Sequence, residues 1–309
     1  MSIAFASRQP APAWLEALRA ALPEESIREV AALTDAEAAA VDIAIVADPD
    51  PTQLARLTSL AWIHSVWAGV ERLVPLARER ALPLVRLHDP ELARTMAEAV
   101  LAWTYYLQRD MPAYAASQRA ANWQPRAYRA PSETAVTLVG LGELGGAAAT
   151  RLRDAGFQVR GWSRTAKTIE GVVCRVGLAQ LRTSIAEADI VVLLLPLTPE
   201  TRGLFDASVL AGMKRGAALI NFARGAVIVR DDLIAALDRG HLQHAVLDVF
   251  EQEPLPSDDL LWRHPSVTVL PHISAPTNRR TAAKIVADNI RRYRAQGLLP
   301  ELVDLSRGY

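Results

Sequence analysis

The sequence is poor in the features of exported, metal-binding or nucleic-acid-binding proteins. A single cysteine, Cys174, excludes an internal disulfide and a cysteine-rich zinc cluster, and is typical of proteins from a reducing compartment. We expect it to be a buried apolar side chain and expect no metal. The 34 basic and 34 acidic residues cancel, so no net field attracts nucleic acid or an anionic membrane.

Long apolar runs are missing as well. The longest, residues 190–195, is far shorter than the about 20 residues that span a bilayer. The N-terminus does not combine a basic start with an apolar stretch, as an export signal would. We therefore expect a cytoplasmic protein that binds neither membranes nor nucleic acid.

Strand-like and helix-like segments alternate along the chain. With 309 residues, half of them apolar, the chain is long enough for two domains. Short apolar runs separated by segments rich in Ala, Leu and Glu predict an α/β fold. The first series of runs covers residues 3–6, 41–46, 61–66 and 84–86. The second series covers residues 136–139, 157–162, 190–195, 217–221, 245–249 and 267–270.

The second series predicts a parallel sheet that is covered on both faces, because its runs lack a polar alternation. A helical pattern over residues 90–120, broken near Pro112, predicts a helix that connects the two series. The stretch "TNRRTAAKIVADNIRRYRAQG" predicts an amphipathic helix, and we expect its arginines to form a solvated face rather than a phosphate site.

The stretch "VTLVGLGELGGAAATRLRDAG" predicts a dinucleotide-binding turn. Gly140, Gly142 and Gly145 follow an apolar strand and begin an alanine-rich helix. Glycines in this context permit a tight turn, close approach of a pyrophosphate and close packing of helix on strand. The alternative is an ordinary turn with no ligand.

The stretch "GWSRTAK" stands where many NAD enzymes carry an acid. Ser163 occupies the position of the carboxylate that binds the ribose hydroxyls, and Arg164 and Lys167 follow it. Two cations without a carboxylate predict a pocket for the 2′-phosphate of NADP. A solvated turn is the alternative.

Polar residues follow three later strands. Arg224, Asp248 with Glu253, and His272 come after successive apolar runs, and ligands of doubly wound sheets bind at strand ends. An arginine can hold a carboxylate, a histidine can carry a proton, and a carboxylate can keep that histidine protonated. Together these groups fit the reduction of a 2-keto acid, although each alone could be a structural ion pair, loop acid or turn residue.

The chain resembles the D-isomer-specific 2-hydroxyacid dehydrogenases over nearly its whole length. The stretches that carry the likeness are "VGLGELGG", "LLPLTPETRGLF", "NFARGAVIVRDDLIAALDRG", "AVLDVFEQEPLP" and "PHIS". "RGWSRTAK", "NWQP", "EPLPSDDLLWRHPSVTVLPH" and the terminal "RGY" are similar to the glyoxylate/hydroxypyruvate reductase A type. That branch also lacks the acid at position 163.

The resemblance implies a Rossmann domain with a doubly wound parallel sheet, inserted into a smaller flavodoxin-like α/β substrate domain. The limits expected are 102–274 for the Rossmann domain with its connecting helix, and 1–101 with 275–309 for the substrate domain. The resemblance also implies an active site between the domains and a homodimer built largely through the Rossmann domain.

The resemblance assigns roles to named residues. Arg224, Glu253 and His272 are the expected catalytic set. The stretch "SVWAGVERL" resembles a loop whose backbone amides hold the substrate carboxylate, so Ala68, Gly69 and Val70 are expected to bind substrate and Trp67 to line the pocket. Arg224 and His272 complete the set expected to bind substrate. The residues expected to bind the cofactor are Gly140, Gly142, Glu143, Leu144, Gly145, Ser163, Arg164, Thr165, Lys167, Leu195, Pro196, Thr201, Ala223, Arg224, Asp248, His272 and Ser274.

The function implied is reduction of small 2-keto acids by NADPH, with NADH possible as a second cofactor. Glyoxylate and hydroxypyruvate are the expected substrates, His272 the proton donor, and Asp248 a charge near the nicotinamide. The remaining histidines are expected to be structural. An NAD-linked D-lactate-type or phosphoglycerate-type dehydrogenase is the alternative enzyme, and a corepressor-like dinucleotide-binding scaffold is the alternative outside catalysis.

Overall fold

The computed structural model describes residues 2–8 and 10–309, which form two compact units. The first contains the residues up to Glu91 together with Thr277–Tyr309, and the second contains Leu92–Pro276. The expected domain limits stay a prediction. Within the described ranges, no helix is long and apolar enough to cross a membrane.

Parallel strands form one sheet in each unit. The strands of the first unit are β1 (Ser2–Ser7), β2 (Ile27–Glu29), β3 (Val41–Ala47), β4 (Trp62–Ser65) and β5 (Leu84–Val85). The strands of the second unit are β6 (Ala135–Val139), β7 (Gln158–Ser163), β8 (Val173–Val176), β9 (Ile190–Leu193), β10 (Ala217–Asn221), β11 (Leu242–Leu247) and β12 (Val267–Val269).

The strand orders confirm the predicted fold class. The first sheet has the order β2-β1-β3-β4-β5, which is that of flavodoxin-like folds. The second has the order β12-β11-β10-β9-β6-β7-β8, which is the Rossmann order with one further strand at the β12 edge. Chain direction across this sheet reverses between β6 and β9, and ligands of doubly wound sheets bind at that point.

Helices follow most strands. They are α1 (Pro12–Ala21), α2 (Asp35–Ala39), α3 (Pro51–Ala55), α4 (Val74–Glu79), α5 (Pro90–Gln108), α6 (Met111–Arg119), α7 (Glu143–Asp154), α8 (Leu178–Ala186), α9 (Ala207–Ala211), α10 (Arg230–Asp238) and α11 (Arg279–Gln296). The break expected near Pro112 lies between α5 and α6, where Asp110 has a left-handed backbone with φ of 55°.

Each sheet is buried on both faces, as the unbroken apolar runs predict. In β1, Ile3 and Phe5 pack with α1 and α11 in one core cluster, whereas Ala4 and Ala6 belong to a second cluster. Successive side chains of a strand point to opposite faces, so both faces of β1 are covered. The strands of the second unit likewise divide their side chains between two clusters.

Three expectations need correction. Strands β2 and β8 were absent from the predicted series. Both are short edge strands; β2 has one apolar residue, and Arg175 interrupts the apolar run of β8. Cys174 on β8 is half-buried rather than buried. The arginines of α11 do not form a purely solvated face, because the side chain of Arg294 is 19% exposed and pairs with Glu25 and Asp42.

Candidate active site

His272 and Glu253 form a hydrogen-bonded pair in the second unit. The Nδ1 atom of His272 lies 2.8 Å from Oε2 of Glu253. The other carboxylate oxygen accepts a hydrogen bond of 2.9 Å from the amide of Phe250. Because a carboxylate only accepts, Nδ1 carries a proton and Nε2 is the nitrogen left to exchange one with a ligand.

The pair favours the ionised forms of both residues. The hydrogen bond to Glu253 raises the pKa of His272, against the opposing effects of burial and of the charge on Arg224. Burial alone would raise the pKa of Glu253, but hydrogen bonds from His272 and the Phe250 amide outweigh it and lower that pKa. An imidazolium beside a carboxylate is therefore stabilised.

The loop after β10 places Arg224 beside this pair. Asn221, at the end of β10, is 1% exposed. Its Oδ1 accepts from the Ala223 amide at 3.1 Å, and its Nδ2 donates to the Arg224 carbonyl at 3.1 Å. The Arg224 guanidinium donates through Nη1 to the carbonyl of Ala223 at 2.7 Å. Sequence reasoning missed Asn221, whose only signal is its position three residues before an expected catalytic arginine.

Asp248 fixes the backbone beside His272. It directly follows β11, is 2% exposed, and accepts hydrogen bonds from the amides of Ile273 at 2.7 Å and Ser274 at 2.9 Å. His272 itself has a φ of 54°, which is uncommon for a residue other than glycine. Because both carboxylate oxygens bind backbone, Asp248 orders the His272 loop, and its charge also helps to raise the pKa of His272. Its expected place near the nicotinamide stays a prediction.

The predicted dinucleotide turn has the geometry that its glycines suggest. Gly140 has a φ of 113°, and a side-chain carbon on Gly145 would overlap the carbonyl oxygen of Gly140. Gly142 is the N-cap of α7 and adds no side chain to it, and a Cβ there would have open space around it. An uncovered helix N-terminus of this kind fits a pyrophosphate. Glu143, Leu144 and Gly145 form the first turn of that helix.

The stretch from Ser163 to Lys167 follows β7 at the same edge. Arg164, Thr165 and Lys167 are exposed, whereas Ser163 is 8% exposed and its hydroxyl donates to the carbonyl of Thr165 at 2.7 Å. That hydroxyl would have to rotate before it could donate to a phosphate. The stretch contains no carboxylate that would repel one.

The loop after β9 contains three further residues expected at the cofactor. Leu195 is 8% exposed and lies in a core cluster. The hydroxyl of Thr201 donates to the carbonyl of Pro196 at 2.7 Å and accepts from the amide of Thr198 at 2.8 Å. Thr201 therefore orders this loop through its own hydrogen bonds.

Two expected cofactor residues border the catalytic loops. Ala223 is 3% exposed. The hydroxyl of Ser274 is buried and has no hydrogen-bond partner among the described residues, which makes it a polar group that a ligand could satisfy.

The loop whose amides are expected to hold the substrate carboxylate belongs to the first unit. Trp67, Ala68 and Gly69 are half-buried, and Val70 is buried. Within residues 2–8 and 10–309, the amides of residues 68, 69 and 70 donate to no protein acceptor. Successive unpaired amides can bind an anion.

Among residues 2–8 and 10–309, no group of three or more His, Cys, Asp or Glu side chains could hold a metal ion.

The remaining histidines have partners outside the catalytic loops. Burial lowers the pKa of His64 and of His244 to about 4, so both are neutral at physiological pH. The contacts are His64 with Ser65 and Asn289, His88 with Arg86, His241 with Met213, His244 with Thr268, and His264 with Asp238.

Comparison with known proteins gives consistent results. Residues 101–274 match the profile of the D-isomer specific 2-hydroxyacid dehydrogenase, NAD binding domain. The chain is 35% identical, over 96% of both sequences, to glyoxylate/hydroxypyruvate reductase A of Yersinia enterocolitica.

Two solved structures resemble the whole chain. One is a D-isomer specific 2-hydroxyacid dehydrogenase from Xanthobacter autotrophicus Py2 in complex with NADPH and MES, with 42% identity, a TM-score of 0.92 and coverage of 100% of this chain and 99% of that one. The other is an NADPH-dependent glyoxylate/hydroxypyruvate reductase from Sinorhizobium meliloti in complex with NADP and sulfate, with 33% identity, a TM-score of 0.92 and complete coverage of both chains.

Replacement of Glu253 by Gln should lower the pKa of His272. The folded-state pKa is raised by the carboxylate, so its loss makes the imidazolium less stable and moves the titration to lower pH. NMR titration of the imidazole carbons measures the shift. Glu251→Gln in the same loop is the matched control, because the Glu251 carboxylate pairs with Arg202. Equal His272 pKa values in the wild type and Glu253→Gln would contradict the pairing.

Proposed function

The chain belongs to the D-isomer specific 2-hydroxyacid dehydrogenase family, and from this membership we propose that it reduces small 2-keto acids with NADPH. The expected reactions convert glyoxylate to glycolate and hydroxypyruvate to D-glycerate, in agreement with the names of its relatives. The observation that carries the proposal is the hydrogen bond between His272 and Glu253, next to Arg224.

In this proposal His272 is the general acid. Its Nε2 gives a proton to the keto oxygen as the carbonyl carbon is reduced, and Glu253 keeps the imidazole charged until that transfer. In the opposite direction the same nitrogen takes the proton from the hydroxyl group. Because reduction needs the protonated ring, kcat/KM for a keto acid should fall as the pH rises through the raised pKa of His272.

Each unit contains a group that can bind a carboxylate. Arg224 can hold a carboxylate through a planar pair of N–H groups and polarise the neighbouring keto oxygen. The unpaired amides of residues 68–70 are the second group that we propose for carboxylate binding.

The cofactor fits the open turn of the second unit. When bound, the nicotinamide supplies the hydride. Gly140, Gly142 and Gly145 leave room for a pyrophosphate at the start of α7. We propose that Arg164 and Lys167 bind the 2′-phosphate and that Ser274 offers its hydroxyl to the cofactor. NADH stays a possible second cofactor.

Two alternative functions predict different behaviour. An NAD-linked D-lactate-type or phosphoglycerate-type dehydrogenase would prefer NADH. A corepressor-like scaffold would bind the dinucleotide with no turnover of any keto acid. Assays of glyoxylate, hydroxypyruvate and pyruvate with both reduced cofactors distinguish these alternatives from the proposed function. The cytoplasmic location and the absence of nucleic-acid partners stay predictions.

Replacement of His272 by Ala tests the general acid directly. We expect kcat for glyoxylate to fall at least about 100-fold, the usual contribution of a positioned acid, while the dissociation constant of NADPH stays near the wild-type value. Steady-state kinetics and fluorescence titration measure the two quantities. His241→Ala is the control, since His241 contacts the Met213 carbonyl instead. Wild-type turnover in His272→Ala would remove this residue from the mechanism.

The double change Ser163→Asp and Arg164→Ala should move cofactor preference toward NADH. It adds a negative charge that repels the 2′-phosphate and removes a cation that attracts it. We expect the wild type to prefer NADPH by roughly ten- to a thousandfold in kcat/KM, from two charge-assisted contacts reduced by solvent exposure. Kinetics with both cofactors measure the ratio.

Variants at neighbouring cations locate the phosphate. If the double variant still prefers NADPH, a loss of that preference in Lys167→Ala would identify Lys167 as the phosphate partner. Arg182→Ala is a control outside the stretch, since Arg182 donates to the Ser208 hydroxyl. Equal efficiency of the wild type with NADH and NADPH would mean that the exposed cations bind no phosphate.

We also propose that the protein is a homodimer. Helix α6 buries none of its residues, and in the segment that follows it Trp123 is 99% exposed and Tyr128 64% exposed. Exposed aromatic side chains this near to each other in the sequence favour an interaction surface. Light scattering should give twice the chain mass of 33.6 kDa, and Trp123→Ala should shift the protein toward monomer at low concentration. A monomeric wild type would contradict the proposal.

A further inference from the structure

Ser65 closes a tight turn at the end of β4. It is 2% exposed, and a buried hydroxyl is costly unless it is hydrogen-bonded. Its Oγ accepts from the amide of Trp67 at 3.0 Å and donates to the carbonyl of Trp67 at 3.1 Å. The hydroxyl therefore binds both polar atoms of one residue, two positions further along the chain.

Two further backbone hydrogen bonds hold the same turn. The carbonyl of Trp67 also accepts from the amide of Leu87 at 3.1 Å, and the amide of Val66 donates to the carbonyl of Val46 at 2.9 Å. Trp67 is thus the last residue of this segment whose backbone these bonds fix. The unpaired amides of residues 68–70 begin directly after it.

The buried side chain of His64 hydrogen-bonds the backbone of Ser65. The Nδ1 atom of His64 lies 2.8 Å from the Ser65 carbonyl, so it carries the proton. Its Nε2 then accepts from Nδ2 of Asn289 on α11 at 3.0 Å. The Oδ1 atom of Asn289 accepts from Arg292 at 3.0 Å, which fixes the amide orientation.

We propose that Ser65 is a positioning residue for the substrate carboxylate, acting through the Trp67 peptide on the amides of residues 68–70. This inference rests on the proposed function, because it takes those amides as the carboxylate site. Ser65 itself touches neither substrate nor cofactor. Its hydroxyl restricts the directions in which the next three amides can point.

The proposed role predicts an effect on binding rather than on the chemical step. A carboxylate is present in the keto acid, in the transition state and in the product, so weaker binding of it affects all of them similarly. A loss of this uniform kind raises KM and leaves kcat unchanged. General damage to the fold would instead lower kcat and weaken NADPH binding as well.

The test compares Ser65→Ala with the wild-type holoenzyme. We expect KM for glyoxylate to rise about tenfold, the effect of losing one to two ordinary hydrogen bonds, with kcat and KM for NADPH near their wild-type values. Calorimetric titration of the enzyme–NADP complex with oxalate, a carboxylate that is not turned over, should give a similar rise in dissociation constant. Ser65→Thr, which keeps the hydroxyl, should restore both values.

Ser184→Ala is the matched control. Ser184 is fully buried and its hydroxyl donates to the Gln180 carbonyl at 2.7 Å within α8. Ser184→Ala therefore removes a buried hydroxyl oxygen, as Ser65→Ala does, but far from residues 68–70 in the sequence. We expect unchanged KM and oxalate affinity. If Ser65→Ala fails to fold, Ser65→Cys replaces it with a similar volume and weaker hydrogen bonds, and the same KM effect is expected.

Two results would overturn the inference. One is wild-type KM and oxalate affinity in folded Ser65→Ala, and the other is a parallel loss of kcat, NADPH binding and keto-acid binding. Failure of the proposed function is a different outcome, since the wild type itself would then reduce no keto acid. In that case, oxalate titration of Ser65→Ala still measures whether Ser65 affects carboxylate binding by the loop of residues 68–70.

Discussion

The buried carboxylate of Asp248 joins the three strand ends on which the candidate site depends. Its two oxygens bind the amides that follow His272, and its own amide donates to the carbonyl of Asn221 at the end of β10. A carboxyl group this deeply buried is costly unless hydrogen bonds replace water. Those bonds therefore satisfy its two oxygens and also hold His272 in a backbone conformation that it would rarely adopt alone.

The charges around His272 change its pKa in opposite directions, and the hydrogen bond to Glu253 makes the net change a rise. Glu253 and Asp248 favour the imidazolium, whereas Arg224 and burial oppose it. The contact of 2.8 Å with Glu253 is the largest of these effects. The proposed function has His272 give up a proton and regain it, and such a balance suits that role, because a stronger anion field would make it a poor acid.

Sequence patterns predict the parts of this molecule that burial controls. The short apolar runs predict ten of the strands. The polar residues after them predict Arg224, Glu253 and His272 as site residues, because parallel strands bring their carboxyl ends to one edge. The short edge strands are harder to find this way, because β2 has one apolar residue and Arg175 interrupts the apolar run of β8. The supporting roles of Asn221, Asp248 and Ser65 depend on hydrogen bonds between side chain and backbone, and the directions of those bonds follow from loop conformations that residue type does not specify.

Both units contain a buried side chain that hydrogen-bonds the backbone at the end of a strand. Asn221 accepts from the Ala223 amide and donates to the Arg224 carbonyl, and Ser65 binds both polar atoms of Trp67. Each buried side chain satisfies backbone groups at the end of a strand, where the sheet no longer can. The next groups along the chain, the Arg224 side chain in one unit and the amides of residues 68–70 in the other, begin from a fixed peptide. A flexible loop would have to lose conformational entropy on binding a ligand, so rigid strand ends reduce the cost of holding a substrate as small as a 2-keto acid.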